Sequence, residues 1–376
     1  MSTVGKAGLE DVVVSTSDIC FIDGREGRLL YRGFDIDDLV EQSSFEEVVF
    51  LLWQGHLPTR KELDAHVKAI RATANRKLPP KMIAILRALP RKTTPMEVVR
   101  TGVSALSAFD PDAADNLRDA TIRKAMRVTA QLPTLVAAWE RIRRGKAPIA
   151  PNPMLSTAAN FLYMMTGKKP TPLAEQTFDV ALTLHADHEF NASTFAARVT
   201  AATLSDLHSA IVAAIGALKG PLHGGANEQV MLMVEKIGSP ERAESFIKKA
   251  LAEKARIMGF GHRVYRVEDP RAKHLRRLAS ELGQQVGDMS AVRILDTVGR
   301  EVTAEKKIYP NVDLYSGAAY AAMGIPTDQF TPIFAMSRVA GWIAHVLEQH
   351  ANNRLIRPRS EYTGPTRATY VPIEQR

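Results

Sequence analysis

The stretch Ser44-Phe45-Glu46-Glu47-Val48-Val49-Phe50-Leu51-Leu52, closed by Gly55, decides how this chain is read. A serine followed three residues later by glutamate, at the head of an apolar run, is a capping-box signature of a helix start, and glycine is the usual stop. The same grammar repeats downstream. Thr59-Arg60-Lys61-Glu62 opens a second helix over Leu63 to Ala72, and prolines at Pro79-Pro80, Pro95, Pro133, Pro148 to Pro153 and Pro170-Thr171-Pro172 punctuate further ones. From Phe334 to His350, Met336, Val339, Ala340, Ile343 and Leu347 fall on one helical face.

Strand signals are confined to the N-terminus. Val12-Val13-Val14 reads as a short strand, while Cys20-Phe21-Ile22 and Leu29-Leu30-Tyr31 flank the turn-rich Asp23-Gly24-Arg25-Glu26-Gly27, a hairpin pattern. Nothing later alternates with the period of a strand. The expected fold class is therefore all-α with a small N-terminal β element. The segment from Asn352 to Arg376 is rich in proline, arginine and threonine. A tail of that kind becomes ordered by docking, with a second subunit as the natural partner.

Composition narrows the function classes. A chain of 376 residues, 45% hydrophobic and 24% charged, has room for a large core and for two domains. Met1 to Lys6 lacks the apolar core of a signal peptide. Apolar stretches such as Ala210 to Leu218 fall short of the ~18 residues that a membrane span requires. The single cysteine, Cys20, excludes an intrachain disulfide and fits a reducing compartment. A soluble cytoplasmic protein is expected, with no membrane partner.

The formal charge of +8 invites a nucleic-acid reading, but no RNA-binding aromatic signature, zinc-finger pattern or basic tail accompanies it. The bases are instead concentrated. Besides Lys254, the chain carries Arg256, Arg263, Arg266, Arg271, Lys273, Arg276 and Arg277, opposed locally only by Glu253, Glu268 and Asp269. A solvated helix face would account for such a cluster. Beside a glycine loop bearing a histidine, a small polyanionic ligand accounts for it better.

Three short motifs place a titratable residue among glycines or helix-starting residues. In Gly220-Pro221-Leu222-His223-Gly224-Gly225-Ala226-Asn227, His223 sits beside a helix start whose partial positive charge keeps an imidazole neutral. A neutral ring can donate to a developing enolate oxygen, although a histidine in a tight interhelical turn also serves plain packing. In Gly259-Phe260-Gly261-His262-Arg263 the glycines permit close approach of a ligand to the backbone, yet the strand that a dinucleotide fingerprint requires is missing. In Asn311-Val312-Asp313-Leu314-Tyr315-Ser316-Gly317, Asp313 reads as an N-cap, a position that also favours the ionised form a general base needs. A competing cluster is His185-Ala186-Asp187-His188-Glu189, whose histidines, three apart on a helix, could face one metal. It lacks the His-Glu-x-x-His pattern, and substrate hydrogen bonding or core packing explains it as well.

Taken in order, these blocks resemble the citrate synthase family over nearly the whole chain. The matching segments are Leu184 to Thr194, Gly220 to Asn227, Gly259 to Arg271, Tyr309 to Gly317, Met336-Ser337-Arg338-Val339-Ala340-Gly341 and Arg357-Pro358-Arg359-Ser360. The resemblance implies a two-domain helical fold, with a small domain near residues 220–326 and a large domain built from 1–219 and 327–376. It further implies a homodimer that condenses acetyl-CoA with oxaloacetate, with CoA as co-substrate, no tightly bound cofactor and no metal. By motif, Asp313 matches the base that deprotonates acetyl-CoA, His223 the donor that stabilises the enolate, and His262 the group that polarises the oxaloacetate carbonyl. Arg271, Arg338, His188 and Asn191 match substrate contacts, and Arg357 one supplied across the dimer. CoA is expected near Met258, Gly259, Phe260, Gly261, Arg263, Arg266 and Lys273. Glu189-Phe190 alone separates His188 from Asn191, where some relatives carry an additional glycine. The resemblance does not extend to the β-rich N-terminal domain of longer, NADH-inhibited relatives, so no strong NADH inhibition is expected. Rival readings are 2-methylcitrate synthase acting on propionyl-CoA, a silent CoA-binding protein on the same fold, and a metal-dependent hydrolase that a chelator would inactivate.

Overall fold

The computed structural model describes residues 7–9 and 12–376. Met1 to Lys6, the segment read for a signal peptide, lies outside them. Helices dominate the described residues. Their one sheet has three antiparallel strands, β1 (Cys20–Asp23), β2 (Arg28–Tyr31) and β3 (Phe34–Asp35), in that order. The expected hairpin forms with Cys20 opposite Tyr31 and Asp23 opposite Arg28. β3 was not legible because its turn is Arg32-Gly33, not an Asn-Gly pair. Arg32 (φ 51) and Gly33 (φ 86) nevertheless both adopt the left-handed conformation of a tight primed turn. Val12-Val13-Val14 is irregular and exposed, a correction to the strand reading. β-propensity without a strand to pair with leaves backbone groups to water and builds nothing.

The helix starts behave largely as read. Ser44 accepts the Glu47 N–H at 3.3 Å and Gly55 ends that helix, Phe45–Gln54, at φ 84. The Phe45 N–H is taken by the Asp179 carboxylate at 3.0 Å. Thr59 and Glu62 make the full reciprocal box. Pro80, Pro95 and Pro172 each occupy a first helical turn, where a missing N–H costs nothing. Pro133 does not break a helix. It lies inside the 26-residue helix Arg118–Arg143, a segment buried along most of its length from Ala120 to Glu140. An interior proline costs roughly 3 kcal/mol, and tertiary packing on that scale overrides it.

Phe330–Ala351 is the central helix. It begins earlier than its periodicity suggested and is buried on every side, carrying Arg338, His345 and Gln349 inward together with its apolar residues. By length and composition the stretch Thr327–Ala351 could cross a membrane, but its most apolar part is buried inside the fold and serves as core. Trp53 Nε1–H donates to the Ala340 carbonyl at 3.0 Å, pinning the Phe45–Gln54 helix against it.

The segment following the helix Pro172–His185 is clamped from two directions. Tyr31 on β2 donates to the Asp187 carbonyl at 2.9 Å. On the other side, the Gly341 N–H donates to the Ala186 carbonyl at 3.0 Å. This approach demands glycine, because a Cβ at 341 would overlap both that carbonyl oxygen and an Asp187 carboxylate oxygen. Gly341→Ala should therefore destabilise the fold by about 1–3 kcal/mol, as overpacking of a filled core does, read as a lowered midpoint in urea unfolding with an unchanged slope.

Candidate active site

Two loops that are distant in sequence are zipped together to present His262 and Asp313. The Gly261 N–H donates to the Tyr309 carbonyl at 2.9 Å, and the Asn311 N–H to the Gly259 carbonyl at 3.0 Å. Asn311 Nδ2 adds a bond to the Gly261 carbonyl at 3.0 Å, while its Oδ1 accepts the Asp313 N–H at 3.0 Å. Gly259 (φ 88) is required by conformation and by space, since a Cβ would lie 2.8 Å from Leu314 Cδ1.

Asp313 opens the helix Asp313–Ala322 as its first residue, and no side-chain cap bond is formed there. The reading of Asp313 as the N-cap is thus corrected, since Val312 holds that position. Burial pushes its carboxyl up to about 6, against the opposing pull of Arg271 and Arg338. That value leaves it mostly ionised at neutral pH while raising its basicity, a combination suited to a general base.

His223 lies in the turn between the helices Leu207–Leu218 and Ala226–Ile237. Its ring is lowered to about 4, first by burial and then by the Arg338 charge. The sequence had credited the helix start for that neutrality, whereas desolvation is the larger cause. The Ser193 N–H lies 3.3 Å from His223 Nε2, an approach that suits a ring proton on Nδ1. Ser193 was not legible in advance. Its hydroxyl lies 2.8 Å from the same nitrogen and 2.7 Å from Asn191 Oδ1, and it accepts the Trp342 indole N–H at 3.1 Å.

His262 shows the complementary tautomer. Its Nδ1 accepts from the Val264 N–H at 3.0 Å and the Tyr265 N–H at 3.4 Å, so the proton resides on Nε2. Burial and then Arg271 lower it to about 4. His188 is held well below its ordinary value by burial, with Arg271 and His262 adding to it. Its Nε2 is 3.2 Å from the Tyr265 hydroxyl, and its ring stands 5.0 Å from that of His262. The metal reading of His185 and His188 does not fit this geometry. The helix ends at His185, whose Nδ1–H donates back to the Ala181 carbonyl at 2.8 Å, so the two rings share no helical face.

The arginines differ in their environments. Arg271 is buried against Asp269 in a fork of 2.9 and 2.7 Å. Burial opposes its charge, but Asp269 more than restores it. Arg338 is equally buried, and among the described residues no carboxylate forms an ion pair with it. It donates through Nε to the His185 carbonyl at 2.7 Å and stacks over Phe334, 4.6 Å from the ring centroid. Burial pushes it down to about 10, so it remains a cation at neutral pH. Asp269, which sequence reading passed over, also accepts the Val312 N–H at 3.2 Å and caps the helix Pro270–Val286. Its signal was present in the Asp-Pro pair at a helix start.

The remaining expected contacts disperse. Asn191 caps the helix Ala192–Ala201, accepting the Thr194 N–H at 3.1 Å and donating to Thr194 Oγ1 at 3.0 Å, so its amide is engaged within the protein. Lys273 is paired with Asp37 at 2.5 Å. Arg263 and Arg266 are exposed, whereas Met258, Phe260 and Gly261 are half-buried or near the interior. A cavity of about 260 Å³ is lined by His262, Tyr265, Arg266, Lys307 and Tyr309, adding Lys307 to the cations near the loop. Arg357 is exposed in the irregular tail.

Fold and site together define a mostly helical protein in which neutral histidines and a raised carboxyl lie near two buried arginines. A family model described as "Citrate synthase, C-terminal domain" matches residues 8–359. Citrate synthase 2 of Bacillus subtilis is 49% identical, covering 98% of both chains. The 2-methylcitrate synthase of Mycobacterium tuberculosis is 46% identical, over 96% of this chain and 90% of its own. Among solved structures, citrate synthase from Pyrobaculum aerophilum superimposes with a TM-score of 0.92 at 44% identity, covering 98% of this chain and 95% of that one. The ternary complex of the Thermoplasma acidophilum citrate synthase with carboxymethyl coenzyme A and oxaloacetate does so at 0.91 and 35%, covering 98% of each. The chain belongs to the citrate synthase family.

Carboxyl-labelled aspartate NMR should show one resonance titrating near pH 6 that disappears in Asp313→Asn. Arg338→Leu should move that midpoint upward, because it removes a charge that favours the carboxylate.

Proposed function

We propose that this chain is a citrate synthase that condenses acetyl-CoA with oxaloacetate and water to give citrate and CoA. The observation that carries the reading is that Asp313 lies within reach of both Arg271 and Arg338, with His262 beside the first and His223 beside the second. Arg271 acts on Asp313, His188 and His262, and Arg338 on Asp313, His188 and His223.

In this reading the Asp313 carboxylate takes a proton from the methyl carbon of the thioester. The His223 Nδ1–H donates to the thioester oxygen, where negative charge develops. A preorganised donor of this kind is worth about 3–4 kcal/mol of transition-state stabilisation. The enol(ate) carbon then attacks the ketone carbon of oxaloacetate, while the His262 Nε2–H polarises the ketone oxygen and protonates it. The product of the condensation is citryl-CoA, and water cleaves its thioester to release citrate and CoA. Neutral rings suit both donations, since a charged imidazolium would repel the arginines and hold its dianionic partner without regard to the transition state.

Arg338, buried without an ion pair among the described residues, and the remaining edge of Arg271 suit the two carboxylates of oxaloacetate, with His188 beside them. Arg263 and Arg266, exposed on the loop, suit the phosphates of CoA. The segment 220–326 acts as a small domain closing on a large one formed by 1–219 and 327–376. The working unit is a cytoplasmic homodimer in which Arg357 completes the partner's site, a role that its exposure in the C-terminal tail allows.

The 2-methylcitrate synthase relative supports a second substrate, propionyl-CoA. One methylene discriminates by only ~1–3 kcal/mol, so use of both thioesters is compatible with this cleft. Release of free thiol from acetyl-CoA or propionyl-CoA, with and without oxaloacetate, tests the function. Oxaloacetate-dependent release is expected with acetyl-CoA, and its absence with both thioesters overturns the reading. Asp313→Ala should lower kcat by about 10²–10⁴-fold, the usual worth of a general base, with oxaloacetate binding retained. Arg338→Leu should chiefly raise the KM for oxaloacetate. Unchanged saturation would remove Arg338 from that contact.

A further inference from the structure

The turn of the N-terminal hairpin lies against the one loop that carries His262. The turn is stiff, with Asp23 Oδ1 accepting the N–H groups of Arg25 and Glu26 at 2.9 Å each. Its Gly24 carbonyl accepts the Arg266 N–H at 2.7 Å. A Cβ at Gly24 would overlap the Val264 carbonyl oxygen and stand 2.7 Å from its carbon. Gly24 is not among the residues with positive φ, so proximity and not conformation requires glycine there. Gly27 makes the same approach one step further along, where a Cβ would lie 2.8 Å from Val267 Cγ2.

What Gly24 touches is part of the apparatus that aims His262. The Val264 carbonyl and the Tyr265 N–H belong to one planar peptide unit, and that N–H donates to His262 Nδ1. Pushing the carbonyl therefore tilts the donor. Tyr265 in turn places its hydroxyl on His188. The opposite side of the loop is fixed by residues 309–311, and the hairpin is fixed through Tyr31 to the backbone of Asp187. A second tie runs beside it, from Asp37 to Lys273 and His274, each at 2.5 Å.

We propose that Gly24 is a positioning residue, through which the hairpin turn holds the 264–265 peptide against His262 Nδ1 and so directs the Nε2–H at the ketone of oxaloacetate. The proposal rests on the donor role given to His262 above. The full-length protein is used for its test. Gly24→Ala should lower kcat/KM for oxaloacetate roughly 10–100-fold, as small misplacements of a catalytic group do, with little change in the KM for acetyl-CoA. Arg25→Ala, which alters only an exposed side chain of the same turn, should leave both constants unchanged.

A double-mutant cycle separates aiming from mere packing. Calorimetric titration with oxaloacetate should show Gly24→Ala weakening binding in the wild-type background and adding nothing in a His262→Ala background. Equal weakening in both backgrounds, or none in the wild type, overturns the proposal. Should Gly24→Ala fail to fold, Asp23→Ala loosens the turn without adding a Cβ at the contact and is put through the same cycle with the same expectations. Retention of turnover by His262→Ala would instead refute the role of His262 itself, so the two failures are distinguishable.

Discussion

Placing two guanidinium groups out of water is the constraint on which the rest of this structure depends. A buried charge is tolerated only where hydrogen bonds and counter-charges replace its hydration. Asp269 meets that requirement for Arg271, and in doing so it accepts the Val312 N–H and caps the helix Pro270–Val286. One carboxylate thereby ties the His262 loop to the Asp313 loop. Arg338 is satisfied differently, by a backbone carbonyl and an aromatic face, and it keeps its charge available. Arg271 is thus compensated by Asp269, whereas among the described residues Arg338 has no carboxylate in an ion pair.

The titratable groups around these arginines share their burial. Three imidazoles are kept neutral by burial, with neighbouring positive charge in support, and the Asp313 carboxyl is raised by the same burial although the arginines oppose it. Desolvation thus acts in opposite senses on the two residue types and produces neutral donors beside a strengthened base. Backbone N–H groups then settle which nitrogen of each ring carries the proton. The Ser193 N–H suits an Nδ1 proton on His223, while Val264 and Tyr265 leave that of His262 on Nε2. Tautomer choice is consequently a property of the loops and of what holds them.

What holds them is spread over the whole chain. The central helix supplies Arg338 and, through Gly341, lets the His188 segment approach. The small sheet, which looks peripheral, meets the site from two directions, through Tyr31 and through the Gly24 turn. The proline within the helix Arg118–Arg143 survives in such surroundings because burial there outweighs local preference.

Helices, their caps and the hairpin were legible because each depends on residues close in sequence: a serine and a glutamate three apart, a glycine after an apolar run, a turn between short strands. The same locality exposed His223, His262 and Asp313 as residues offered by glycine turns or helix starts, and the order of their motifs indicated the family. Contacts between distant segments were not legible. Ser193 beneath His223, Asp269 between two loops, Asn191 spent on a cap and Lys273 spent on Asp37 all follow from long-range packing. So does the raised carboxyl of Asp313, since local sequence pointed to the helix start and could not weigh it against burial. The sequence by itself determined which groups can move protons and bind anions. Only the tertiary structure decided their protonation, tautomers and aim, because desolvation and directional hydrogen bonds arise when remote parts of the chain are brought together.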